Sequence, residues 1–189
     1  MKNNQYLFLI DNENPLPLCY NIDIIKLCDD YYLERTAAYY ARNMICLAKK
    51  KCIYLKVESA YRSNQYQQML IDNDVKMYMD NGYNLEDALE KTLEMIAKPG
   101  CSEHNAGLAL DILSDDYDEL DEGFENTAAF SWLYKNAHKF GFILRYPKGK
   151  TSITKIGYEP WHYRFVGVCH AKRIKKSGLT LEEYIEKRR

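Results

Sequence analysis

The sequence predicts an α+β fold, a small single domain in which helices flank a central, mostly antiparallel sheet. Of its 189 residues, 47% are apolar and 28% are charged, which is enough apolar material for one hydrophobic core. Helical periodicity is concentrated in the middle of the chain and short strand-like runs near its end, with few strand–helix–strand alternations. This segregation favours antiparallel over parallel strand pairing. We therefore expect residues 1–189 to form one domain.

The first half of the chain is predicted to contain two strands and three helices. Gly82 can end the second of these helices, and Asn84 can cap the third. In order, the predicted elements are a strand over 6–10, a break at 14–17, a helix over 33–49, a strand over 52–57, a helix over 64–79 and a helix from 85 that stops at 98–100. The apolar face expected for the third helix consists of Leu85, Leu89, Leu93 and Ile96.

The second half is predicted to contain the remaining strands. Residues 114–126 include seven acidic residues and no lysine or arginine, which predicts a solvated loop, with weak Ca²⁺ binding as the alternative. In order, the predicted elements are a strand over 108–113, this loop, a helix over 127–140 that ends at Gly141, strands over 142–145, 153–157 and 161–166, and a basic helical segment from about 170.

Charge and hydropathy give no sign of a nucleic acid or a membrane as partner. The 26 basic and 27 acidic residues leave a net charge of −1. No window approaches the ~20 consecutive apolar residues of a transmembrane helix. The apolar run at 6–10 is too short for a secretory signal. We expect a soluble, cytoplasmic protein, with a cell-wall location as the alternative because a chain trimmed of its leader would read the same.

The cysteines predict free thiols rather than disulfides. No C-x-x-C pair occurs, and a chain of 189 residues does not need covalent cross-links to fold. Partly buried thiols in a reducing compartment are therefore the expected state. The six cysteines are Cys19, Cys28, Cys46, Cys52, Cys101 and Cys169.

Histidines and acidic residues in two distant segments have the chemistry of a zinc site. A catalytic zinc takes about three His, Asp, Glu or Cys ligands and keeps one position open for water. His104 precedes a strand-like run, and Asp111 lies inside that run, where its charge needs compensation. His162 can supply a third ligand, and Glu159 beside it can act as a general base. Each residue alone also has a plain structural interpretation, and spacing alone does not show whether the two segments meet.

Three ordered motifs resemble those of a known enzyme family. The pattern S-x-H-x-x-G-x-A-x-D is matched at 102–111, E-x-W-H at 159–162 and Y-R-S-x-x-x-Q at 61–67. The stretches 14–17 and 141–147 are similar as well. Together they cover nearly the whole chain and resemble the zinc D-Ala-D-Ala peptidases of the VanY, VanX and VanXY kinds. These metallopeptidases act in vancomycin resistance and peptidoglycan remodelling.

The resemblance implies a role for each matched residue. Glu159 would take a proton from the attacking water and return it to the leaving amine, and Arg62 would contact the substrate carbonyl and the oxyanion that develops on it. The implied fold is the Hedgehog/D,D-peptidase-like α+β fold, which agrees with the predicted elements. The implied ligands of Zn²⁺ are His104, Asp111 and His162. The implied substrate-binding residues are Arg62, Gln67, Ser102 and Tyr61.

The resemblance leaves the substrate open. A carboxypeptidase would trim the terminal D-Ala from a peptidoglycan stem peptide, a dipeptidase would cut free D-Ala-D-Ala, and a bifunctional enzyme would do both. Loops 98–101 and 114–126 are candidates for setting the width of the pocket. A peptidoglycan endopeptidase and a non-catalytic module that binds cell-wall peptide are further alternatives. The oligomeric state and the choice between resistance and wall maintenance also stay open.

Overall fold

The computed structural model describes residues 4–17 and 19–188, and it confirms an α+β fold with antiparallel sheets. The strands are β1 (Ile24–Cys28), β2 (Tyr31–Glu34), β3 (Leu55–Ser59), β4 (Ala109–Ser114), β5 (Phe142–Leu144) and β6 (His162–Phe165). The α-helices are α1 (Arg35–Lys49), α2 (Asn64–Asp80), α3 (Leu85–Met95), α4 (Ala128–Asn136), α5 (Thr151–Thr154), α6 (Val168–Ser177) and α7 (Leu181–Glu186). Short 3₁₀ helices at Glu122–Asn126 and Ala137–Phe140 flank α4. In the ranges described, no helix has the length and apolarity needed to cross a bilayer.

The main sheet has four antiparallel strands in the order β3-β4-β6-β5. Every residue of β4 and β6 is buried. The register places Asp111 opposite His162 on one side and opposite Ser59 on the other. Two motifs that lie far apart in the sequence therefore meet as neighbouring strands.

The main core combines residues of this sheet with residues of α1 and α4. The buried face of α1 consists mostly of alanines, so that its backbone can lie close to its neighbours. A second, smaller cluster packs α6 and α7 against β5 and against Val166, which follows β6. The residues of α1 that are buried are Ala37, Ala38, Ala41, Met44 and Ala48.

The helices predicted in the middle of the chain are confirmed, each beginning within two residues of its expected start. Asn84 caps α3 as predicted, because its side chain accepts a hydrogen bond from Asp87 N at 2.9 Å. The helical region predicted over 127–140 is followed by Gly141, as expected, and Gly141 has φ +85°. The last turn of this region is 3₁₀ rather than α.

Two predicted strands are wrong. Residues 6–10 form no strand, since the Arg164 side chain donates hydrogen bonds to the carbonyl oxygens of Tyr6 and Phe8 and so binds part of this backbone. The segment predicted over 153–157 instead contains the end of α5, followed by Lys155 at φ +62°. Short apolar runs do not distinguish a strand from a turn or a helix.

The β1–β2 hairpin was not predicted. Its turn contains Asp29 at φ +39°, a conformation that aspartate tolerates better than most residues. The strand predicted over 52–57 begins later, at Leu55, because Lys51 N and Cys52 N still donate to carbonyl oxygens of α1.

The apolar face predicted for α3 is not its buried face. Leu85 is 61% exposed and Leu89 is 40% exposed. Ala88 and Thr92, on another face of the helix, are fully buried instead. The spacing of the apolar residues predicted the helix correctly, but the helix packs against the protein through its small residues.

Candidate active site

Three predicted metal ligands converge from three parts of the fold. His104 lies in the turn before β4, Asp111 lies within β4 and His162 begins β6. One ligand atom from each lies within 4.8 Å of the others. His104 Nε2 is 3.3 Å from Asp111 Oδ2, and His162 Nδ1 is 3.3 Å from Asp111 Oδ1. The β4–β6 ladder thus supplies the juxtaposition that spacing alone could not predict.

The donor set fits a divalent metal ion. Asp111 Oδ1 is buried without a hydrogen-bond partner in the described part of the chain, which is costly unless another group satisfies it. His104 Nδ1 lies 2.6 Å from the carbonyl oxygen of Ala60, which can only accept, so that Nε2 carries the lone pair. Two imidazole nitrogens and a carboxylate oxygen beside a cavity match the ligand set of a catalytic zinc.

A buried carboxylate that the sequence analysis missed lies on the far side of His162. Glu103 Oε2 is 3.3 Å from His162 Nε2. Glu103 Oε1 accepts hydrogen bonds from Arg145 Nε at 2.6 Å and from Arg164 Nη1 at 2.8 Å. Its position next to His104 was the one feature of the sequence that could have indicated a role in the site. It gave no prediction, because an acidic residue in a turn is ordinarily exposed.

The three predicted ligands His104, Asp111 and His162 form a ligand cluster. Glu159 lies at the solvent side of this cluster. Its Oε2 is 3.3 Å from His162 Nδ1, and its side chain is 16% exposed. Its backbone N–H donates to the Tyr146 carbonyl oxygen at 3.2 Å, which ties the turn before β6 to the segment after β5. The carboxylate therefore combines contact with a predicted ligand and access to the cavity.

Arg62 contacts the same cluster from the other side. Its Nη2 donates to Asp111 Oδ2 at 2.6 Å, and its Nε donates to Ser59 Oγ at 2.8 Å. The side chain is 19% exposed and lines the cavity. The guanidinium is thus held in place by two bonds while part of it faces the space where a substrate would lie.

Of the other three predicted substrate-binding residues, two line the cavity and one does not. Gln67 is buried at the cavity wall, where its Nε2 donates to Ala97 O at 2.8 Å while its Oε1 has no partner in the described part of the chain. Ser102 also lines the cavity, and its Oγ accepts from His104 N at 3.3 Å. Tyr61 is not among the residues that line this cavity, and its role stays a prediction.

The cavity beside the cluster has a volume of about 290 Å³. Both loops that were expected to set its width contribute to the wall, through Cys101 and Leu120. Tyr146, from the stretch 141–147 that resembles the family, lines it as well, and so do Met95 and Ile156, which had no sequence signal. His104, Asp111 and His162 make part of the wall polar, and side chains such as Met95 and Ile156 make other parts apolar.

Neighbouring charges determine the pKa values of the two buried acids. Burial would raise the pKa of Glu103, but Arg145 and Arg164 outweigh this effect and hold the pKa well below its usual range. Burial would likewise raise the pKa of Asp111, but His104 and His162 hold it well below its usual range. Both carboxyls are therefore ionised at neutral pH.

The two histidines shift in opposite directions. Burial and the Arg62 charge lower the pKa of His104. Burial would lower the pKa of His162 too, but its contacts with Asp111 and Glu103 raise it well above the usual range. A cation bound between the ligands would take the place of the proton that these carboxylates favour on His162.

The cysteines are free thiols, as predicted, and none of the six belongs to the ligand cluster. Cys101 is buried at the cavity wall, and burial raises the pKa of its thiol. A neutral thiol is a poor nucleophile, which agrees with a site built on histidine and carboxylate.

The chain is similar to proteins that are named as carboxypeptidases. A family model described as VanY, D-alanyl-D-alanine carboxypeptidase, matches residues 30–168. A D-alanyl-D-alanine carboxypeptidase of Enterococcus faecalis is 36% identical over 181 residues, covering 95% of this chain and 65% of the relative. VanXYC of Enterococcus gallinarum, named a bifunctional D-Ala-D-Ala dipeptidase and carboxypeptidase, is 38% identical over 133 residues, covering 69% and 65%. The chain thus spans just under two thirds of the length of these relatives.

Solved structures agree with these relatives. VanYB in complex with D-alanine-D-alanine superposes with a TM-score of 0.86 at 36% identity, covering 97% of this chain and 99% of that one. A vancomycin-resistance D,D-pentapeptidase VanY variant in complex with Zn(II) has a TM-score of 0.84 at 36% identity, covering 95% and 98%. The LdcB LD-carboxypeptidase has a TM-score of 0.80 at 39% identity, covering 95% and 85%.

Proposed function

Because this chain belongs to the VanY family of D-alanyl-D-alanine carboxypeptidases, we propose that it is a zinc-dependent peptidase that hydrolyses the terminal D-Ala-D-Ala amide of peptidoglycan stem peptides or their precursors. The observation that carries the proposal is the convergence of His104, Asp111 and His162 within 4.8 Å of one another. Glu159 and Arg62 lie on either side of this cluster, at a cavity. We propose residues 1–189 as one peptidase domain.

The proposed ligands of Zn²⁺ are His104 Nε2, Asp111 and His162 Nδ1, the atoms that face one another in the cluster. Zinc, when bound there, polarises a carbonyl and lowers the pKa of a coordinated water. The unpartnered Asp111 Oδ1 supports this assignment, since it is a buried acceptor that a cation would satisfy. The relative that contains Zn(II) supports it independently.

Glu159 is the proposed general base and acid. Its Oε2 lies 3.3 Å from the ring nitrogen proposed as a ligand, so that a water at the open position would lie within its reach. The carboxylate would accept a proton from the attacking water and deliver it to the nitrogen of the departing D-Ala. No covalent intermediate is required, so Ser59, Ser63 and Ser102 need no nucleophilic role.

Arg62 is the proposed partner of the scissile carbonyl. Its bonds to Asp111 and Ser59 use Nη2 and Nε, which leaves other N–H groups of the guanidinium to meet an oxyanion. We propose that Gln67, with its unpartnered Oε1, and Ser102 bind the end of the peptide. Tyr61 completes the proposed substrate-binding set, although it lies outside the cavity wall.

The substrate is proposed to be a stem peptide, with free D-Ala-D-Ala as a second substrate. The relative named bifunctional supports the dipeptidase reaction. The likeness to an LD-carboxypeptidase favours one further candidate, removal of D-Ala that follows an L residue. Product analysis on a pentapeptide, a tetrapeptide and the free dipeptide separates these reactions. No release of D-Ala from any of them at full zinc occupancy would instead favour a non-catalytic binding module.

Replacement of the proposed base tests the mechanism. Glu159→Gln is expected to keep Zn²⁺ bound and to lower the rate of D-Ala release about 10²–10⁴-fold, because proton transfer is lost while the ligands remain. Glu90→Gln, an exposed position on α3, is the matched control and should keep the parent rate. Near-normal turnover by the Glu159 variant would show that another group is the base.

The location of the reaction is a separate proposal. We infer a cytoplasmic enzyme that acts on soluble precursors, with action at the cell wall as the alternative. Fractionation of cells that produce the natural protein, with D-Ala release assayed in each fraction, decides between them. Recovery of the activity in the wall fraction alone would contradict the cytoplasmic location.

A further inference from the structure

We propose that Glu103 is a positioning residue that fixes the tautomer of His162 and thereby presents Nδ1 to the metal. The inference rests on the proposed function, since it concerns the same zinc site. It adds a residue that lies outside the ligand set, the base and the substrate-binding residues. The carboxylate acts through His162 and does not face the reacting atoms.

The two oxygens of the Glu103 carboxylate have different partners. Glu103 Oε1 accepts from Arg145 Nε and Arg164 Nη1, and arginine nitrogens only donate. Glu103 Oε2 is therefore left for His162 Nε2, 3.3 Å away. Because an ionised carboxylate can only accept, the ring proton of His162 belongs on Nε2. The lone pair then lies on Nδ1, which faces Asp111 and Glu159 at 3.3 Å each.

The carboxylate is held so that it cannot turn away. Arg145 is anchored at its other end by Glu182, whose Oε1 accepts from Nη2 at 2.6 Å. Arg164 Nη2 donates to the backbone of the N-terminal segment, at Phe8 O and Tyr6 O. Glu103 and both arginines are at most 2% exposed, so water cannot replace these bonds. The whole network orients one oxygen toward one imidazole nitrogen.

His104 provides an internal comparison. Its non-ligand nitrogen, Nδ1, faces the Ala60 carbonyl oxygen at 2.6 Å, which is also an obligatory acceptor. Each histidine therefore has an acceptor behind it, a backbone carbonyl in one case and Glu103 in the other. Partners of this kind fix the tautomer of a metal-binding histidine and raise its basicity.

Glu103→Gln tests the inference with almost no change of shape. The glutamine oxygen is expected to stay with the two arginines, so its NH₂ group meets His162 Nε2 and forces the ring proton onto Nδ1. We expect the dissociation constant for Zn²⁺ to rise about 10- to 100-fold. Glu182→Gln is the matched control, because it weakens the same Arg145 network without touching His162, and it should keep the parent zinc affinity.

A measurement on the parent protein does not depend on the folding of any variant. In the zinc-loaded protein, the ¹⁵N spectrum of the imidazoles should show His162 protonated at Nε2 and His104 protonated at Nδ1. Protonation of His162 at Nδ1 would overturn the inference, as would an unchanged zinc affinity in Glu103→Gln.

The outcomes separate this inference from the proposed function. Parent protein that binds zinc and releases D-Ala, together with a Glu103 variant of equal zinc affinity, removes only the role of Glu103. Parent protein that fails to bind zinc removes both proposals. An equal loss of affinity in the Glu182 and Glu103 variants would assign the effect to the arginine network as a whole and would also overturn the specific role of Glu103.

Discussion

Asp111 contacts three of the residues that we assign to the reaction. Its Oδ2 lies 2.6 Å from Arg62 Nη2 and 3.3 Å from His104 Nε2, and its Oδ1 lies 3.3 Å from His162 Nδ1. A carboxylate buried to this degree needs such compensation, since an uncompensated buried charge is strongly destabilising. These partners explain why the apolar run of β4 tolerates an acid, as its position in the sequence predicted.

Arg62→Lys distinguishes the effect of the positive charge at residue 62 from the effect of the guanidinium geometry. Lysine keeps the charge but cannot bond Ser59, Asp111 and a substrate oxygen together, so we expect kcat to fall about 10²–10³-fold, the cost of losing one oxyanion donor. Steady-state kinetics on a stem pentapeptide measures this. Arg35→Lys, in an exposed pair with Asp23, is the control and should be neutral. Unchanged kcat in the Arg62 variant would remove Arg62 from the reaction.

Among the elements, the turn that carries His104 is held against the β1–β2 hairpin. Gly107 O accepts from Glu34 N at 2.9 Å, and Glu34 also caps α1 through bonds to Thr36 N and Ala37 N. A Cβ at Gly107 would lie 2.9 Å from Glu34 N and 2.5 Å from Ile22 Cδ1. The glycine of the first motif thus permits a close backbone contact that positions the turn carrying His104.

Gly107→Ala and Gly82→Ala form a matched pair at the element scale. Both glycines have positive φ, +63° and +94°, but a Cβ at Gly82 meets nothing within 4 Å. We expect Gly82→Ala to lower the free energy of unfolding by about 1–2 kcal/mol through backbone strain. Gly107→Ala should lower it by about 1–3 kcal/mol more, through the clash. Urea titrations measure both, and equal losses would contradict the proposed close contact.

Across the whole molecule, a bound metal would join β4, β6 and the turn before β4 at one point. An ion that binds the folded chain alone adds about 2.7 kcal/mol at a free concentration of 100 times its Kd. For a chain of this size, that corresponds to a rise of about 5–10 °C in Tm. Thermal melts with Zn²⁺ and with a chelator are the measurement.

Two variants test whether the zinc-dependent rise in Tm comes from the proposed ligands. Asp111→Asn should lose most of the zinc-dependent rise in Tm, because it removes a charged ligand. His138→Ala should keep the rise, because His138 lies outside the ligand cluster. The same rise in Asp111→Asn as in the parent would contradict the ligand assignment.

Elements with a local signature could be predicted. The caps and glycines around α2 and α3 gave their bounds, and two of the three motifs gave every residue of the ligand cluster. The segment 6–10 could not be read correctly, since its backbone is bonded by the side chain of Arg164, a long-range contact. The hairpin β1–β2 was missed because short strands depend on pairing rather than on local propensity.

Motif chemistry was readable from the chain because covalent spacing is a local property. It predicted the metal ligands and the base, and it gave the family resemblance that the comparisons confirm. The tertiary structure decided which nitrogen of each histidine faces Asp111 and which acceptor lies behind each ring. Glu103 joins the site only because β4, β5 and β6 bring it to Arg145, Arg164 and His162. A shift of one residue in the strand register would turn Asp111 to the opposite face of the sheet, so the site depends on pairing that no single segment encodes.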